Sequence, residues 1–470
     1  MRLRAHRRVI TLLLLLLVLG TAGAVFVYTN PGYPVDDALI TYQYARNIAR
    51  GKGFVYNEGQ RVQGTTTPLF TLLMTAIAIV GIDLVKAGTW IGILAGLALC
   101  AIVYSLGLKL QGPLAGFVAA LLTATSGHLA ANASSGMETT LYTTLILGTL
   151  YCYVLHRHVW AAALAGVCVL TRLDGLAAAT AILLILTIRR KRLPLREAMV
   201  FMAVALPWFV FATLYFGSPL PTTLFAKQSH TIDAGMLWMV RFLLNSPFEL
   251  LWLPIVLWCA SLFSPIRTTT WDLLPIITWL LLYVLAFTVA GIDMYDWYNV
   301  PPIPIIYLLF AMALVSLVRD LDLRQPWFSS SVTYALAGFV LLYQVKYTLA
   351  LVPSFRRKAI AVEGTRKEVA VWLAENTPSD STIATDGIGY IGYYSQRRIV
   401  DLAGLVTPYA IGRPYSDTLS RFEPDYAVSV VSTDRGHPFK SLEFLSDYER
   451  VKSWTGAGSF MDPHVLYQRK

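Results

Sequence analysis

The sequence predicts a polytopic α-helical membrane protein that ends in a small α/β domain. Of its 470 residues, 56% are hydrophobic and only 14% are charged, whereas about a quarter of the residues in a soluble domain are charged. Apolar runs long enough to cross a bilayer recur between residues 9 and 350. After residue 355 the apolar runs shorten and alternate with polar residues, which indicates a separate, water-exposed domain.

The basic excess belongs to the membrane part of the chain. The net charge is +10, yet residues 356–470 contain 15 basic and 14 acidic residues and are nearly neutral. Basic loops set the orientation of membrane proteins, so this charge predicts no nucleic-acid partner. All four cysteines lie inside apolar runs, where none is spaced for a disulfide or a zinc site.

The first 28 residues imitate a signal peptide, because a basic start precedes an apolar stretch. That stretch has about 20 residues, longer than the usual 7–15, and further apolar runs follow. We therefore predict an uncleaved first span. The spans predicted from the apolar runs are 9–28, 89–108, 113–131, 139–155, 159–171, 174–188, 197–216, 248–264, 273–290, 301–318 and 330–350.

The orientation depends on residues 68–85, which form a twelfth apolar run. If this run crossed the membrane, the basic segment "RRKRLPLR" at 189–196 would lie outside and contradict the positive-inside rule. We therefore predict a pair of juxtamembrane helices here, in a long first outer loop spanning 29–88. The protein is then a multi-pass plasma-membrane protein with 11 spans, a cytoplasmic N-terminus and an extracytoplasmic domain at 356–470.

The domain at 356–470 shows short strand and helix patterns. "EVAVWLAENTP" predicts a helix that ends before Pro378. "STIATD", "RRIVDLAGL" and "YAVSVV" predict strands, and "KSLEFLSDYERV" predicts another helix. "GIGYIG" at 387–392 fits the dinucleotide fingerprint, but the next strand is predicted near Arg398, leaving about one helical turn between them. A dinucleotide fold needs a unit of about 30 residues, so no nucleotide site is predicted.

Two adjacent acids are the strongest candidates for a functional site. Asp36 and Asp37 lie in "PVDDALITYQYARN", immediately after the first span. On a helix, Asp37 shares a face with Ile40 and Tyr44, whereas Gln43 and Asn47 lie on the opposite, polar face. The helix is therefore amphipathic and is expected to lie along the membrane surface with the polar face toward water. Asp36 could be an N-cap and Asp37 a favourable first-turn charge. Alternatively, one could be a general base whose pKa its neighbour raises.

Further charged residues fall in separate outer loops and suggest a common site at that face. Glu138 begins a helix, where an acid is favourable in any case, and Arg172 and Asp174 could simply pair with each other. Lys227 could reach lipid headgroups or could hold a phosphate. The substrate-binding candidates are Arg46, Glu138, Arg172, Asp174, Lys227, His230, Asp293 and Tyr298.

Several motifs resemble the GT-C superfamily of membrane glycosyltransferases, in particular the branch of the mycobacterial terminal arabinofuranosyltransferases. They are "DDALITYQYARNIARGKGFVYNEGQRVQGTTTPL", "SGMETTLY", "TRLDG", "PLPTTLFAK" and "IGYYSQRRIVDLAGL". The branch typically has arginine where Gln43 stands, and "DMYDWYNVP" differs from its usual motif. The resemblance covers nearly the whole chain and implies a GT-C fold with a C-terminal outer domain.

The resemblance implies an inverting glycosyltransferase that uses a polyprenyl-phosphate sugar. Asp36 or Asp37 would be the catalytic base, and the domain at 356–470 would bind a cell-envelope glycan, lipid or protein acceptor. The sugar, arabinofuranose or a hexose, stays open, as does a divalent cation; no cofactor is certain. A transporter or flippase for a lipid-linked sugar is the alternative, although ionisable residues near the membrane midplane and inverted repeats, which are common in transporters, are not evident.

Overall fold

The computed structural model describes residues 2–227, 270–290, 295–320, 326–429, 442–454 and 464–470. The predicted span 248–264 and two candidate site residues, His230 and Asp293, lie outside these ranges.

The described chain is mainly helical. The helices are α1 Arg2–Thr29, α2 Asp36–Ala49, α3 Pro68–Ile79, α4 Leu84–Leu110, α5 Pro113–Ala124, α6 Gly127–Ala133, α7 Thr139–Val154, α8 His158–Thr171, α9 Leu176–Arg190, α10 Leu195–Phe216, α11 Thr222–Lys227, α12 Thr270–Ala290, α13 Pro302–Asp320, α14 Pro326–Asn376, α15 Ile388–Ser395, α16 Tyr415–Phe422 and α17 Leu442–Asp447.

A helix or a broken pair of helices covers each predicted span that falls in the described residues. Six described helices are long and apolar enough to cross a membrane, or seven if α5 and α6 form one broken span. The predicted span 113–131 is this broken pair, because the chain bends by 61° between α5 and α6. The polytopic helical architecture is therefore confirmed, whereas the number of 11 spans stays a prediction.

The juxtamembrane segment contains two short helices, α2 and α3, between α1 and α4. Residues 68–85 do not hold a complete pair of helices. The first helix, α3, ends at Ile79, and the second, α4, begins at Leu84 and continues to Leu110. Asp83 marks the start of α4 because its side chain accepts a hydrogen bond from the Lys86 N–H at 2.8 Å, a typical N-cap contact.

Helix α2 is enclosed rather than laid along a surface. The residues predicted to face water are covered: Asn47 donates hydrogen bonds to the carbonyl oxygens of Val55 and Tyr56, at 3.0 and 2.7 Å. Gln43 and Asn47 are only 8% and 5% exposed. The loop that follows α2 folds back over this polar face and satisfies its amides, which the helical periodicity alone does not indicate.

Helix α14 connects the spans to the C-terminal domain without a break at residue 355. Its 51 residues correspond to about 75 Å at 1.5 Å per residue, more than twice the ~30 Å hydrocarbon thickness of a bilayer. The helix therefore extends well beyond the membrane. The division into a membrane module at 1–355 and a domain at 356–470 stays a prediction.

The C-terminal domain contains one five-stranded sheet, in the order β2-β1-β3-β5-β4. Its strands are β1 Thr382–Thr385, β2 Arg398–Asp401, β3 Tyr426–Ser429, β4 Tyr448–Trp454 and β5 His464–Arg469. The first three pair in parallel, and β5 joins β3 and β4 by antiparallel pairing. The predicted helix "KSLEFLSDYERV" is wrong in its second half, because α17 ends at Asp447 and the next residues pair with β5.

The predicted orientation can be tested with two reporter fusions. Alkaline phosphatase is active only outside the cytoplasm. A fusion after Arg192 should therefore be inactive, whereas a fusion after Lys470 should be active. The physical reason is the basic segment 189–196, which favours the cytoplasmic side. GFP fusions at both points should give the inverse pattern. Equal activity at the two positions would contradict the orientation.

Candidate active site

A cavity of about 440 Å³ lies where the membrane helices meet the C-terminal domain. Several segments that are far apart in the sequence contribute to its wall. The lining includes Asp37, Ile40, Thr41, Gly64, Thr65, Thr66, Thr67, Glu138, Arg172, Asp174, Leu176, Ala177, Thr180, Pro221, Thr223, Lys227, Leu282, Ala286, Phe287, Trp297, Tyr298 and Leu405. Six predicted site residues thus share one cavity, as the convergence of outer loops suggested.

Asp37 and Lys227 form the first charged pair in the cavity. Lys227 Nζ lies 3.7 Å from Asp37 Oδ2, and the two side chains are 20% and 32% exposed. The ammonium also lies 5.0 Å from the ring centre of Tyr295 and 5.7 Å from that of Trp297, close enough for cation–π attraction. These contacts hold both charges at the cavity surface, where a ligand can reach them.

Arg172 is the centre of the second charged group. Its Nε and terminal nitrogen donate to the two carboxylate oxygens of Asp174 at 3.0 and 3.1 Å. Glu138 lies 3.8 Å away, and the guanidinium stacks on the ring of Tyr298 at 4.8 Å. Arg172 is only 5% exposed, so two carboxylates and an aromatic ring fix its orientation at the cavity wall.

Burial and neighbouring charges shift the pKa values of Glu138 and Lys227. Burial raises the pKa of the Glu138 carboxyl above its ordinary value, although Arg172 opposes this shift. Burial alone lowers the pKa of Lys227, but Tyr298 and Asp37 outweigh it and the net pKa lies above the ordinary value. Lys227 is therefore a permanent cation at neutral pH.

Asp36 points away from the cavity and holds the C-terminal domain. Its Oδ2 and Oδ1 accept the backbone N–H groups of Gly389 and Tyr390, at 2.9 and 2.8 Å, so the carboxylate caps the start of α15. Asp36 is 8% exposed, and burial raises the pKa of its carboxyl above the ordinary value. Of the two adjacent acids, Asp37 faces the cavity and Asp36 faces the domain.

The "GIGYIG" segment forms this contact between α15 and α2. A Cβ on Gly389 would overlap the backbone carbonyl of Asp36 and lie 2.7 Å from its Cγ. A Cβ on Gly392 would overlap the Tyr56 hydroxyl, which donates to the carbonyl of Ile388 at 2.6 Å. The glycines therefore allow close packing, and α15 is two turns long rather than the one turn predicted.

Replacing Gly389 by alanine should destabilise the protein by about 1–3 kcal/mol or more, because its new methyl group meets backbone that cannot move aside. The apparent melting temperature of the purified protein in detergent measures this. Gly338→Ala is the matched control, since nothing lies within 4 Å of a Cβ there. Equal melting temperatures for the two variants would contradict the close contact between α15 and α2.

Arg46, another predicted substrate-binding residue, lies outside the cavity lining. Its guanidinium is 4.3 Å from the ring centre of Tyr393 and donates a hydrogen bond to Gln43. Arg46 thus contacts α15 through Tyr393, whereas Gln43 belongs to α2 itself.

Sequence reasoning missed a second set of lining residues. The hydroxyls of Thr65 and Thr67 lie 3.1 Å apart, and Thr41 lies 3.3 Å from Thr67. Trp297 and Leu405 also line the cavity. The run "TTT" after "QG" and the tryptophan between Asp296 and Tyr298 were the available signals, whereas Leu405 carries no chemistry that a sequence pattern would reveal.

A metal site does not emerge from the part of the chain that the structure describes, where no three His, Cys, Asp or Glu side chains come together in a suitable arrangement. Around the cavity, the carboxylates of Glu138 and Asp174 pair with Arg172, and the carboxylate of Asp37 pairs with Lys227.

Two comparisons with known sequences do not indicate a function for this protein. Residues 355–467 match a family described as a domain of unknown function (DUF8728). No curated protein sequence matches the chain.

Solved structures match nearly the whole chain at low identity. ArnT from Cupriavidus metallidurans bound to undecaprenyl phosphate is 13% identical, with a TM-score of 0.62 over 96% of this chain and 97% of that one. The Archaeoglobus fulgidus oligosaccharyltransferase tethered to an acceptor peptide is 14% identical, with a TM-score of 0.63 over 88% and 69%. Arabinofuranosyltransferase AftD from Mycobacteria is 15% identical, with a TM-score of 0.52 over 97% and 41%. The chain therefore has the fold of GT-C membrane glycosyltransferases.

Proposed function

We propose that this protein is an inverting glycosyltransferase that moves a sugar from a polyprenyl-phosphate donor to an extracytoplasmic cell-envelope acceptor. The proposal rests on the cavity, where the partly exposed carboxylate of Asp37 lies 3.7 Å from one cation, Lys227, and a second cation, Arg172, belongs to the same lining. A base and a phosphate-binding cation are what such a transfer requires. Two of the structures that share the fold are described with undecaprenyl phosphate or dolichol phosphate bound.

Asp37 is the proposed general base. Its carboxylate takes the proton from the acceptor hydroxyl, and the oxygen attacks the anomeric carbon of the sugar. The bond from that carbon to the phosphate oxygen breaks, and its electron pair leaves with the polyprenyl phosphate. Attack opposite the leaving group inverts the anomeric centre. Asp36 is unsuited to this step, because both of its oxygens already accept backbone N–H groups.

Lys227 and Arg172 are the proposed phosphate-binding residues. Lys227 is exposed enough to exchange its contact with Asp37 for a phosphate oxygen. Two of the five N–H groups of Arg172 donate to Asp174, which fixes the guanidinium and leaves other N–H groups for a phosphate. Three acids and two bases are among the described lining residues, and the raised pKa of the Glu138 carboxyl weakens the negative charge that a phosphate would meet there.

The lipid part of the donor fits the wall formed by the spans. Helices α9 and α12 contribute apolar or small lining residues to it: Leu176, Ala177, Leu282, Ala286 and Phe287. These helices pack against each other, so this wall borders the hydrocarbon side of the cavity. A polyprenyl chain placed there brings its phosphate to the polar end.

The aromatic residues next to Lys227 support a sugar as the transferred group. Tyr295 and Trp297 stack in parallel with ring centres 4.6 Å apart, and Trp297 and Tyr298 line the cavity. Aromatic faces stack on the C–H faces of sugar rings, while nearby acids accept hydrogen bonds from hydroxyls. The sugar is arabinofuranose, as the resemblance to the mycobacterial branch suggests, or a hexose.

The proposal is tested by transfer from radiolabelled donors. Purified protein in liposomes is given decaprenyl-phosphate arabinofuranose or polyprenyl-phosphate hexoses with a cell-envelope glycan extract. A labelled glycan and free polyprenyl phosphate are the expected products. Movement of intact donor between leaflets without cleavage would instead support a transporter or flippase.

Lys227→Ala should weaken binding of undecaprenyl phosphate by about 10-fold or more, because the loss of a charge-assisted contact costs roughly 1.5–3 kcal/mol. Lys227→Arg should retain part of the affinity. Binding is measured by quenching of tryptophan fluorescence. Lys86→Ala is the control, since Lys86 does not line the cavity. An alanine variant that binds as tightly as the parent would remove Lys227 from the phosphate site and leave Arg172.

A further inference from the structure

The cavity has a second wall, formed by loops, which differs from the wall of α9 and α12. It comprises Gly64, Thr65, Thr66, Thr67, Pro221, Thr223 and Leu405, and we call it the loop wall. Its parts are adjacent, because the Thr222 N–H donates to the Gln63 carbonyl at 3.0 Å. Four of its seven members carry hydroxyl groups.

One polar atom in this wall is buried without a partner. Thr223 is 5% exposed, and its hydroxyl makes no hydrogen bond to any residue that the structure describes. A buried hydroxyl without a partner is unfavourable, because it has lost its hydrogen bonds to water. Since Thr223 lines the cavity, a bound molecule with a hydroxyl or carbonyl group could satisfy it.

Leu405 is the contribution of the C-terminal domain to the loop wall. A Cβ on Gly64 would lie 2.9 Å from the carbonyl oxygen of Leu405, so the two backbones are in direct contact. The neighbours Leu402 and Val406 are 1% and 2% exposed, whereas Leu405 is half-buried and borders the cavity.

The loop that carries Leu405 is held in place by a buried acid. Asp401 is fully buried, and its carboxylate accepts the backbone N–H groups of Ala403 and Val406 at 2.9 and 2.8 Å. The Asp401 N–H donates to the Thr407 hydroxyl at 3.0 Å. Gly404 completes the turn with a φ of +88°, which favours glycine. Leu405 is therefore presented by a rigid turn.

We propose that the loop wall is the acceptor end of the cavity, that it binds a neutral sugar ring, and that Leu405 is a specificity-determining residue there. This inference rests on the proposed function. Hydroxyls suit the hydroxyl groups of a sugar, and the apolar Leu405 side chain suits a C–H face. The C-terminal domain then acts by completing the site rather than by binding the acceptor elsewhere.

The test compares the protection of single cysteines from N-ethylmaleimide. All four native cysteines are first replaced by serine. The labelling rate of Leu405→Cys then measures access to the loop wall, and that of Leu176→Cys measures access to the wall of α9 and α12. Leu402→Cys, buried in the domain, and Ser416→Cys, exposed on α16, are the controls. The probes are methyl arabinofuranoside, methyl mannoside, the anionic methyl glucuronide, and undecaprenyl phosphate.

At twice its dissociation constant, a neutral glycoside should slow labelling of Leu405→Cys about threefold, because a third of the sites remain free. It should leave Leu176→Cys and Ser416→Cys unchanged. Undecaprenyl phosphate should slow Leu176→Cys and leave Leu405→Cys unchanged. Leu405→Trp, a second variant, should abolish glycoside binding without altering the affinity for undecaprenyl phosphate.

The outcomes separate the two proposals. If undecaprenyl phosphate protects Leu176→Cys but neither neutral glycoside protects Leu405→Cys, the acceptor end is overturned and the proposed function stands. Preferential protection by methyl glucuronide would also overturn a neutral subsite. If undecaprenyl phosphate protects neither cysteine and no transfer occurs, the proposed function itself fails.

Discussion

Asp37→Asn is expected to lower sugar transfer by about 10²–10⁴-fold, the usual loss when a positioned general base is removed. Asparagine keeps the size of the side chain but cannot take the acceptor proton. Binding of undecaprenyl phosphate should survive, because Lys227 keeps its charge and loses only a competing contact with Asp37. The measurements are the transfer rate from radiolabelled donor and the dissociation constant for undecaprenyl phosphate.

Asp36→Asn is the neighbouring comparison. An asparagine has one amide oxygen and therefore leaves one of the two N–H groups at the start of α15 without an acceptor. We expect a loss of about 1–3 kcal/mol in stability and a smaller effect on transfer than at Asp37. If Asp37→Asn transfers at nearly the parental rate and Asp36→Asn does not, the assignment of the base is reversed.

Arg172→Gln is expected to destabilise the protein by about 3–5 kcal/mol, the usual result when one partner of a buried ion pair is removed. Glu138 and Asp174 would be left without the guanidinium that lies between them. Binding of undecaprenyl phosphate should weaken as well, because one of the two cations of the cavity is lost. Thermal unfolding in detergent measures the first effect, and a binding titration measures the second.

Arg469→Gln provides the matched control for this prediction. Arg469 also pairs with a carboxylate, Glu423, at 2.8 Å, but the two side chains are 41% and 60% exposed, and such pairs contribute roughly 0–1 kcal/mol. It does not line the cavity. Equal losses of stability for the two variants would show that Arg172 does not hold a buried cluster.

The helical membrane architecture was predictable because long apolar runs have few structural solutions in a bilayer. The strands β1, β2 and β3 were also found at the predicted segments. The end of "KSLEFLSDYERV" was mispredicted, because β4 is formed by pairing with β5 and local propensity does not report such a distant partner. The enclosure of α2 was missed for a similar reason, since the loop after it satisfies Asn47.

The candidate site was predictable in part. Charged residues near span ends indicated a common face, and five of them share the cavity with Tyr298. Their pairing was not predictable, since Lys227 meets Asp37 across 190 residues of chain. The sequence also left Asp36 and Asp37 equivalent. Their difference arises from packing, because α15 covers one side of α2 and the cavity borders the other.

The sequence by itself determined that this protein is a helical membrane protein with acids and bases collected near the ends of its spans, because hydrophobic run length and charge are local properties of the chain. Only the tertiary structure decided which of two adjacent aspartates faces the cavity and that Leu405, from the other end of the chain, lines it. Both depend on contacts between segments more than 300 residues apart, and such contacts follow from the packing of the whole fold.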